Sequence, residues 1–339
     1  MPIRINNLSR ADKVPAQGVG SAYLEQKDLM SSSKKYEIEI NSHKGNFDIY
    51  HIHSVHFRYF TRMNKKHINV VSVHFIPSDN QDTVKLIWPA NKIFDWYVNQ
   101  FYKKADELVI VNPHFKSSLM KLGIAEDRIT YIPNYVSKEY FHELDSVDEL
   151  KDKYGLPKDK FIVLGVGQIQ KKKAFHEFIE VCKSNPDKYF VWVGDFTFGR
   201  ITVGYKEYKK LLKNAPTNFK HISLLNKEEM NEIYNTCSVF FLPSYKEFFP
   251  MVILEAASVG KPILLRDLSL YTPILFDKFA KGKDVEEFSK EIDRLSKDSS
   301  YYQKRKEDAK FISSFYDKEK MLEAWEDFYQ KIYNKHHHK

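Results

Sequence analysis

Short runs of β-branched and aromatic residues alternate with amphipathic helical segments along almost the whole chain. Such alternation is typical of parallel strands, because each pair of parallel strands needs a crossover connection of helical length. It predicts an α/β fold whose sheets are covered by helices on both faces. The predicted strands are Tyr36–Asn41, Phe47–His53, Asn69–Phe75, Leu108–Val111 and Ile129–Ile132, then Phe161–Val166, Phe190–Gly194, His221–Leu225, Val239–Leu242 and Ile263–Arg266. The clearest predicted helices are Phe175–Ser184 and Lys227–Cys237.

A polar, charged stretch between Phe141 and Lys160 interrupts this pattern near the middle of the 339 residues. A chain of this length suffices for two domains, each with its own core. We therefore predict two parallel-sheet domains that face each other across a cleft, over residues 1–145 and 146–315. The remaining residues, 316–339, are expected to form a helix that packs back toward the N-terminal domain.

Composition restricts the classes of partner. The 53 Lys and Arg residues outnumber the 45 Asp and Glu residues, which gives a net charge of +8 and favours an anionic partner. Cys182 and Cys237 form no CxxC pair, so neither a disulfide framework nor a zinc site is indicated. No apolar run is long enough to span a bilayer, and the N-terminal residues lack the apolar core of a signal peptide. We expect a cytosolic protein that is soluble or bound at a membrane surface.

The segment EFFPMVILEAASVGKP, Glu247 to Pro262, places two carboxylates eight positions apart around an apolar run. Pro250 suits the first turn of a helix, and Gly260 with Pro262 suits its end. Glu247 then lies in the loop between a buried strand and a helix, where parallel α/β sheets bind ligands and free N–H groups favour phosphate. The two carboxylates would bind hydroxyl groups of such a ligand. The alternative is that Glu255 is a solvated helix residue and Glu247 only complements the helix dipole.

Three segments resemble the retaining GT-B glycosyltransferases of family 4, within the glycogen-synthase-like superfamily. PSYKEFFPMVILEAASVGKPILLRD is similar to the family's nucleotide-binding E-x7-E segment. The stretch Ala105–Phe141 resembles its interdomain pattern, and Val163–Val181 resembles its donor-phosphate segment. The resemblance implies two Rossmann-like domains, of which the N-terminal one faces the acceptor and the membrane and the C-terminal one binds a nucleotide sugar.

Within the family, KVPAQGVGSAYLEQ and LLRDLSLY resemble the bacterial diglycosyldiacylglycerol synthases. These enzymes add a second hexose to glucosyl-diacylglycerol at the cytoplasmic face of the membrane. The resemblance implies a peripheral hexosyltransferase of glycolipid and lipoteichoic-acid anchor synthesis. It would use UDP-glucose or UDP-galactose as donor substrate and no cofactor.

The resemblance also implies roles in the C-terminal domain. Glu247 would hold hydroxyls of the donor sugar, and Glu255 would hold the ribose. Lys173 stands at the family's phosphate-binding lysine, whereas Gln168, after Gly167, stands where many relatives have arginine. Lys171 or Lys172 would then replace that charge. The backbone near the diphosphate would be that of Phe249, Pro250, Met251 and Val252.

In the N-terminal domain, Gly18, Gly20 and Ser21 resemble a glycine loop that approaches the diphosphate, since glycine lets the backbone come close. His74 matches the histidine that relatives place beside the donor sugar. Alternatively His74 is a packed histidine, and Lys171–Lys173 is a solvated charge run. His51, His53 and His56 are expected to be structural or exposed. GVGQIQ lacks the third glycine of a dinucleotide fingerprint, so NAD is not indicated.

The implied chemistry is electrostatic. Cleavage of a nucleotide sugar develops negative charge on the diphosphate, which lysine, backbone amides and a helix N-terminus stabilise. The family implies retention, with attack on the leaving-group face and transfer of the acceptor proton to the diphosphate. The sequence contains no Asp-x-Asp, the usual metal-diphosphate device of the other large glycosyltransferase fold, and we expect no metal.

Two segments are candidates for membrane contact. Val55–His67 interleaves aromatic and basic residues, as interfacial segments do on anionic lipid; its candidate membrane residues are Phe57, Arg58, Phe60, Arg62, Lys65 and Lys66. Ile87–Lys104 is interpreted instead as a core-facing helix, with Ile93, Trp96, Tyr97 and Phe101 on the buried stripe. The same composition suits single-stranded nucleic acid, but no nucleic-acid module accompanies it, and none is expected as partner.

Two other functions stay open at this point. One is a family 4 transferase that acts on a soluble, polysaccharide or protein acceptor. The other is a catalytically silent GT-B protein that only binds a partner; the presence of both Glu247 and Glu255 favours an enzyme, and Gln168 leaves room for the silent protein. Neither the hexose, the linkage nor the oligomeric state follows from the sequence.

Overall fold

The computed structural model describes residues 2–10, 18–76, 90–196, 199 and 202–337. Their contacts divide the chain into two units. The first unit contains Met1–Tyr135 and Lys318–Lys339, and the second contains Val136–Asp317. Each is described by itself below.

The first unit is built on a six-stranded parallel sheet. Its strands are β1 (Ile3–Leu8), β2 (Tyr36–Ile40), β3 (Ile49–Ile52), β4 (Ile68–Val73), β5 (Glu107–Ile110) and β6 (Ile129–Tyr131), in the order β2-β1-β3-β4-β5-β6. Its helices are α1 (Gly18–Ser31), α2 (Phe57–Arg62), α3 (Ala90–Lys104), α4 (Phe115–Lys121) and the C-terminal α13 (Lys318–His337).

The second unit has a six-stranded parallel sheet of its own. Its strands are β7 (Ile162–Val166), β8 (Tyr189–Val193), β9 (Phe219–Ile222), β10 (Val239–Leu242), β11 (Ile263–Arg266) and β12 (Ala280–Gly282), in the order β12-β11-β10-β7-β8-β9. The helices are α5 (Val147–Lys153), α6 (Phe175–Ser184), α7 (Tyr205–Lys213), α8 (Lys227–Thr236), α9 (Met251–Ser258), α10 (Thr272–Leu275), α11 (Val285–Lys297) and α12 (Ser299–Phe315). The strand order reverses between β7 and β10, which makes this pair the switch point of the sheet.

Aromatic side chains fill the core between this second sheet and its helices. Phe178 of α6 lies edge-on to Trp192 of β8, with ring centroids 4.9 Å apart, and stacks on Phe241 of β10 at 5.4 Å. All three side chains are fully buried. Such pairs contribute packing geometry beyond the area they bury, so they fix α6 on the strands that lead to the switch point.

The predicted α/β class with two parallel sheets is confirmed. Strand β1 was not predicted, because its buried positions include Asn6 and Asn7, whose amides break the apolar pattern. The Asn6 amide donates to the Ser42 carbonyl at 3.0 Å, and the Asn7 amide donates to Gln26 Oε1 at 3.4 Å. Hydrogen bonds of this kind offset the cost of burying polar side chains.

The prediction of a core-facing stripe on α3 is wrong for two of its members. Ile93 and Trp96 are each 63% exposed, and the helix instead buries Val98, Phe101 and Tyr102. Both faces of α3 carry apolar residues, so periodicity alone did not identify the buried one.

The chain passes between units at Tyr135 and Val136, earlier than the predicted boundary at 145/146. The reason lies in contacts of the following residues with α8. The backbone N–H of His142 donates to Asn231 Oδ1 at 3.0 Å, and that of Leu144 donates to Asn235 Oδ1 at 2.9 Å. The polar segment is therefore bound to the second unit.

Among the described residues, no helix combines the length and apolar character that crossing a bilayer requires.

Helix α13 packs on the first sheet through His51 of β3. The His51 Nδ1 atom lies 2.6 Å from the Tyr329 hydroxyl, and its Nε2 lies 2.8 Å from the Ser72 hydroxyl. The His53 ring lies next to it, with centroids 4.0 Å apart. Burial lowers the pKa of His51 to about 3 and that of His53 well below its usual value, so both imidazoles are neutral at physiological pH.

We predict that acid destabilises the protein through His51. The unfolded chain protonates this residue below pH 6.5, whereas the folded chain protonates it only near pH 3. The stabilisation is therefore complete above pH 6.5 and is lost as the pH falls below it, by about 2 kcal/mol at pH 5. His51→Gln should reduce by that amount the difference in free energy of unfolding between pH 7 and pH 5, measured by urea denaturation.

The exposed His43 is the matched control for this experiment. His43→Gln should keep the pH difference of the parent. If His51→Gln also keeps it, burial of neutral His51 does not cause the acid sensitivity.

Candidate active site

The loops after β7 and β10 lie side by side at the switch point of the second sheet, because these two strands pair in parallel. Lys173 ends a 3-10 turn, Lys171–Lys173, that follows β7. Glu247 lies in the loop between β10 and α9. Lys173 Nζ is 2.5 Å from Glu247 Oε1, and the two side chains are only 13% and 9% exposed. The structure thus brings together two residues that the sequence separates by more than seventy positions.

Gly167 shapes the backbone beside this ion pair. Its φ is 151°, its N–H donates to the Val193 carbonyl at 2.9 Å, and its own carbonyl accepts from Trp192 Nε1 at 3.0 Å. A Cβ at this position would lie 3.4 Å from the methylene groups of Lys173. Such a distance is an ordinary van der Waals contact, so the left-handed φ, and not the space beside Lys173, favours glycine at this position. The neighbouring Gln168 amide oxygen accepts from Gln170 Nε2 at 2.5 Å.

Helix α9 begins beside the ion pair, with Pro250 as the residue before its first turn. The predicted diphosphate-contacting backbone, Phe249 to Val252, spans this helix start. The first N–H groups of a helix lack intrahelical partners and favour an anion. Glu255, in the second turn, accepts a 2.8 Å hydrogen bond from the buried Tyr234 hydroxyl and is only half-exposed. The interpretation of Glu255 as a purely solvated residue is therefore wrong.

The immediate surroundings of Glu247 are positively charged. Lys172 is partly buried, and burial is the largest cause that lowers its pKa. The positive charges of Lys173 and Lys246 lower the pKa further, whereas the negative charge of Glu247 raises it. Three lysines thus surround a single carboxylate in this group. Such an arrangement attracts a polyanion more strongly than it attracts a neutral ligand.

A second ion pair holds the loop that carries Glu247, and sequence analysis did not identify it. Arg266, the last residue of β11, forms an ion pair with Glu177 of α6 and donates from Nε to the Pro243 carbonyl at 2.8 Å. The Tyr245 hydroxyl donates to Glu177, and the Tyr245 N–H donates to the Lys172 carbonyl at 2.9 Å. The only sequence signal was a charged residue at the end of a buried strand. Its partner is remote in sequence.

In the first unit, Gly18, Gly20 and Ser21 form the first turn of α1. Gly20 is buried and Ser21 is exposed, whereas residues 11–17 before them lie outside the described residues. His74 directly follows β4. Its Nε2 is inaccessible to solvent and has no hydrogen-bond partner within the described part of the chain, and burial lowers its pKa to about 4. His74 is therefore a neutral imidazole with an unused nitrogen.

The predicted membrane segment and α3 together form one surface of the first unit, the α2–α3 surface. Phe57 is 66% exposed, and Arg58, Lys65 and Lys66 are exposed as well. Phe60 is half-buried between α2 and α3, where Lys104 Nζ lies 4.4 Å from its ring centroid, and Arg62 is half-buried. An open groove of about 580 Å³ is lined by Phe57, Phe60, Trp96, Tyr97, Gln100, Lys103 and Lys104.

Among the described residues, no group of three His, Cys, Asp or Glu side chains could hold a metal ion.

Two family models match the chain. The one described as Glycosyltransferase Family 4 matches residues 22–140, and the one described as Glycosyl transferases group 1 matches residues 146–311. The alpha-galactosylglucosyldiacylglycerol synthase of Streptococcus pneumoniae is 38% identical over 335 residues, which cover 97% of this chain and 90% of that protein. The processive diacylglycerol alpha-glucosyltransferase of Acholeplasma laidlawii is 24% identical over 282 residues, 82% of this chain and 83% of that protein.

Solved structures share the fold. Sucrose-phosphate synthase from Thermosynechococcus elongatus has a TM-score of 0.80 at 12% identity, covering 98% of this chain and 99% of that chain. Anabaena HepE in complex with UDP-glucose has a TM-score of 0.75 at 14% identity, covering 97% of this chain and 100% of that chain. At these identities the likeness concerns the fold alone.

Gly194 supplies a test of the geometry beside the ion pair. A Cβ at Gly194, whose φ is 124°, would overlap the carbonyl oxygen of Gly167. Gly194→Ala should therefore combine backbone strain with a steric clash and cost about 3 kcal/mol in urea denaturation. Gly123, at φ 86° with nothing within 4 Å of its Cβ position, is the control; Gly123→Ala should cost only about 1 kcal/mol of strain. If both variants lose the same free energy of unfolding, the contact with the Gly167 carbonyl does not restrict the side chain at position 194.

Proposed function

The chain belongs to the family 4 glycosyltransferases of the GT-B fold, and from this premise we propose that it transfers a hexose from a UDP-sugar to glucosyl-diacylglycerol at a membrane surface. The observation that carries the donor half of the proposal is the Lys173–Glu247 pair beside the start of α9. A cation and helix N–H groups suit a diphosphate, and a carboxylate suits sugar hydroxyls. UDP-glucose and UDP-galactose are the donors proposed, with no cofactor.

In the proposed reaction, the bond between the sugar C1 and the β-phosphate oxygen breaks while a new C1–O bond forms to the acceptor hydroxyl on the same face. The acceptor proton passes to the departing diphosphate, so UDP leaves and the anomeric configuration is retained. Lys173 and the first N–H groups of α9 stabilise the charge that develops on the diphosphate. Glu247 orients the sugar, and Glu255, held by Tyr234, binds the ribose hydroxyls.

For the first unit we propose that the neutral His74 imidazole contacts the donor sugar; because its Nε2 is inaccessible to solvent in this structure, that contact requires the imidazole to become exposed on donor binding. The glycine-rich start of α1 at Gly18, Gly20 and Ser21 is proposed to approach the diphosphate. The names of two relatives support the proposed acceptor: one, 38% identical over nearly the whole chain, is a galactosylglucosyldiacylglycerol synthase, and the other is a diacylglycerol glucosyltransferase.

The α2–α3 surface supports the membrane part of the proposal. Two apolar side chains, Phe57 and Trp96, project next to the basic residues Arg58, Arg62, Lys65, Lys66, Lys103 and Lys104. Exposed aromatics of this size insert at a bilayer interface, and each nearby cation adds about 1 kcal/mol on anionic lipid. We propose peripheral binding to the cytoplasmic face of the cell membrane.

Transfer assays test the enzymatic proposal. Purified protein should transfer hexose from UDP-glucose or UDP-galactose to glucosyl-diacylglycerol in vesicles, with much slower transfer to soluble sugars. Glu247→Ala should lower turnover at least a thousandfold, because it removes the group that orients the sugar (~4 kcal/mol of transition-state stabilisation). Glu180→Ala, which removes an exposed carboxylate from α6, should have normal turnover. Faster transfer to a soluble acceptor would contradict the glycolipid assignment, and normal turnover of Glu247→Ala would contradict the site.

Co-sedimentation with anionic vesicles tests the surface. Replacing Phe57 and Trp96 by Ser should lower binding at least tenfold, since each loses interfacial insertion. Replacing Arg58, Arg62, Lys65 and Lys66 by Gln should release the protein as well, whereas high salt should weaken binding only in part. Phe311→Ser, which changes an exposed aromatic of the second unit, is the control and should bind as the parent does. Parent-like binding of both test variants would show that the membrane contact lies elsewhere.

A further inference from the structure

The two side chains that the proposed function assigns to neighbouring parts of the donor, the diphosphate and the sugar, form an ion pair with each other in this structure. Lys173 is needed at the diphosphate and Glu247 at the sugar, yet Lys173 Nζ lies 2.5 Å from Glu247 Oε1. Both side chains are almost buried, so the pair is poorly screened by solvent. A donor diphosphate that contacts Lys173 therefore competes with the Glu247 carboxylate for its ammonium group.

The charges around the pair favour that replacement by a diphosphate. The pKa of the partly buried Lys172 responds to the charges of Lys173, Glu247 and Lys246, so these four side chains interact with one another's surroundings. One carboxylate neutralises only part of this positive charge. A diphosphate carries more negative charge than a carboxylate and offers several acceptor oxygens, so it competes well for Lys173.

Once displaced, the Glu247 carboxylate needs another donor of hydrogen bonds, and Tyr271 is placed to provide one. Tyr271 ends a short turn, Ser269–Tyr271, after β11. Strand β11 pairs with β10 in parallel, Leu265 opposite Leu242, so the loops after these strands are neighbours. Arg266 joins the two loops through the Pro243 carbonyl.

The Tyr271 hydroxyl is unused in the resting protein. The residue is completely buried, and its hydroxyl has no hydrogen-bond partner among the residues that the structure describes. Burial raises the pKa of Tyr271, and the negative charge of Glu247 is the next cause, which agrees with the proximity of the two groups. A buried hydroxyl without a partner is costly, and a hydrogen bond to a nearby carboxylate would remove that cost.

We propose that the Lys173–Glu247 ion pair is a resting lock on the donor site, which the donor diphosphate opens, and that Tyr271 then donates a hydrogen bond to the released Glu247. Tyr271 is a positioning residue in this scheme: it acts on the sugar through Glu247. The inference rests on the proposed function for the identity of the donor. It adds an order of events, in which the diphosphate binds Lys173 before Glu247 can hold the sugar.

The lock has an unusual consequence for UDP, which has the diphosphate but no sugar. Glu247→Gln removes the competitor for Lys173 and nothing that UDP contacts. Calorimetry should therefore show UDP binding at least fivefold more tightly to Glu247→Gln than to the parent, although Glu247→Gln transfers no hexose. Glu180→Gln, which removes an equal charge from an exposed site on α6, should bind UDP as the parent does.

The outcomes distinguish failure of the proposed lock from failure of the proposed donor site. If the parent binds UDP and Glu247→Gln binds it no more tightly, the lock is refuted while the donor site stands. If the parent binds no UDP, the proposed donor site fails and the lock fails with it. Tighter binding by Glu180→Gln as well would show a general effect of net charge and would also refute the lock.

Tyr271→Phe tests the second half of the proposal. Because the hydroxyl has no partner in the resting protein, its removal should leave the unfolding midpoint unchanged or raise it. Turnover should fall at least tenfold, with UDP affinity unchanged, since Glu247 loses its partner only after the diphosphate has bound. Tyr302→Phe is the control: its hydroxyl donates to the Ser238 carbonyl at 3.0 Å, so this variant should lose stability and keep its turnover.

Normal turnover of Tyr271→Phe would refute the positioning role. So would a loss of stability like that of Tyr302→Phe, because it would show that the hydroxyl is already bonded in the resting protein.

Discussion

The parallel pairing of β7 with β10 is the constraint on which the second unit depends. Val239 pairs with Val163 and Phe240 with Leu164, so two strands that are distant in sequence end at the same edge of the sheet. Because the strand order reverses at this pair, no crossover helix covers the gap between their carboxyl ends. The Lys173 turn, the Glu247 loop and the start of α9 all meet there. The proposed nucleotide-sugar site depends on this topology more than on any single residue.

Two ion pairs are largely buried at this edge of the sheet, and removing their charged groups from water costs free energy. Lys173 with Glu247 and Arg266 with Glu177 are both ion pairs of largely buried side chains. Buried ion pairs add little net stability, because desolvation opposes their attraction. The two pairs differ in what surrounds them. Arg266 and Glu177 share further hydrogen bonds with Tyr245 and the Pro243 carbonyl and form a fixed support. The charge of Glu247 instead acts on the pKa of the buried Tyr271 and, with Lys173, on that of Lys172. The first pair is suited to hold a loop, the second to exchange partners.

The sequence predicted those parts whose signals are local. Strands β10 and β11 and helix α6 have the predicted limits, since each is an apolar or amphipathic run with clear breaks. Gln168, Lys173, Glu247 and Glu255 were singled out because their motifs lie within short segments. Strand β1 was missed because Asn6 and Asn7 are buried polar residues, and the exposed face of α3 was assigned to the core because both of its faces are apolar. The roles of Arg266, Glu177 and Tyr271 depend on pairings between distant strands, which no local pattern encodes.

A crystal structure of the protein with bound UDP tests the central claim most directly, because it locates the diphosphate relative to the switch point of the second sheet. We predict phosphate oxygens within hydrogen-bond distance of Lys173 Nζ and of the first N–H groups of α9, with the Glu247 carboxylate no longer bonded to Lys173. UDP bound away from the loops after β7 and β10, or a diphosphate that leaves the Lys173–Glu247 pair intact, would contradict it.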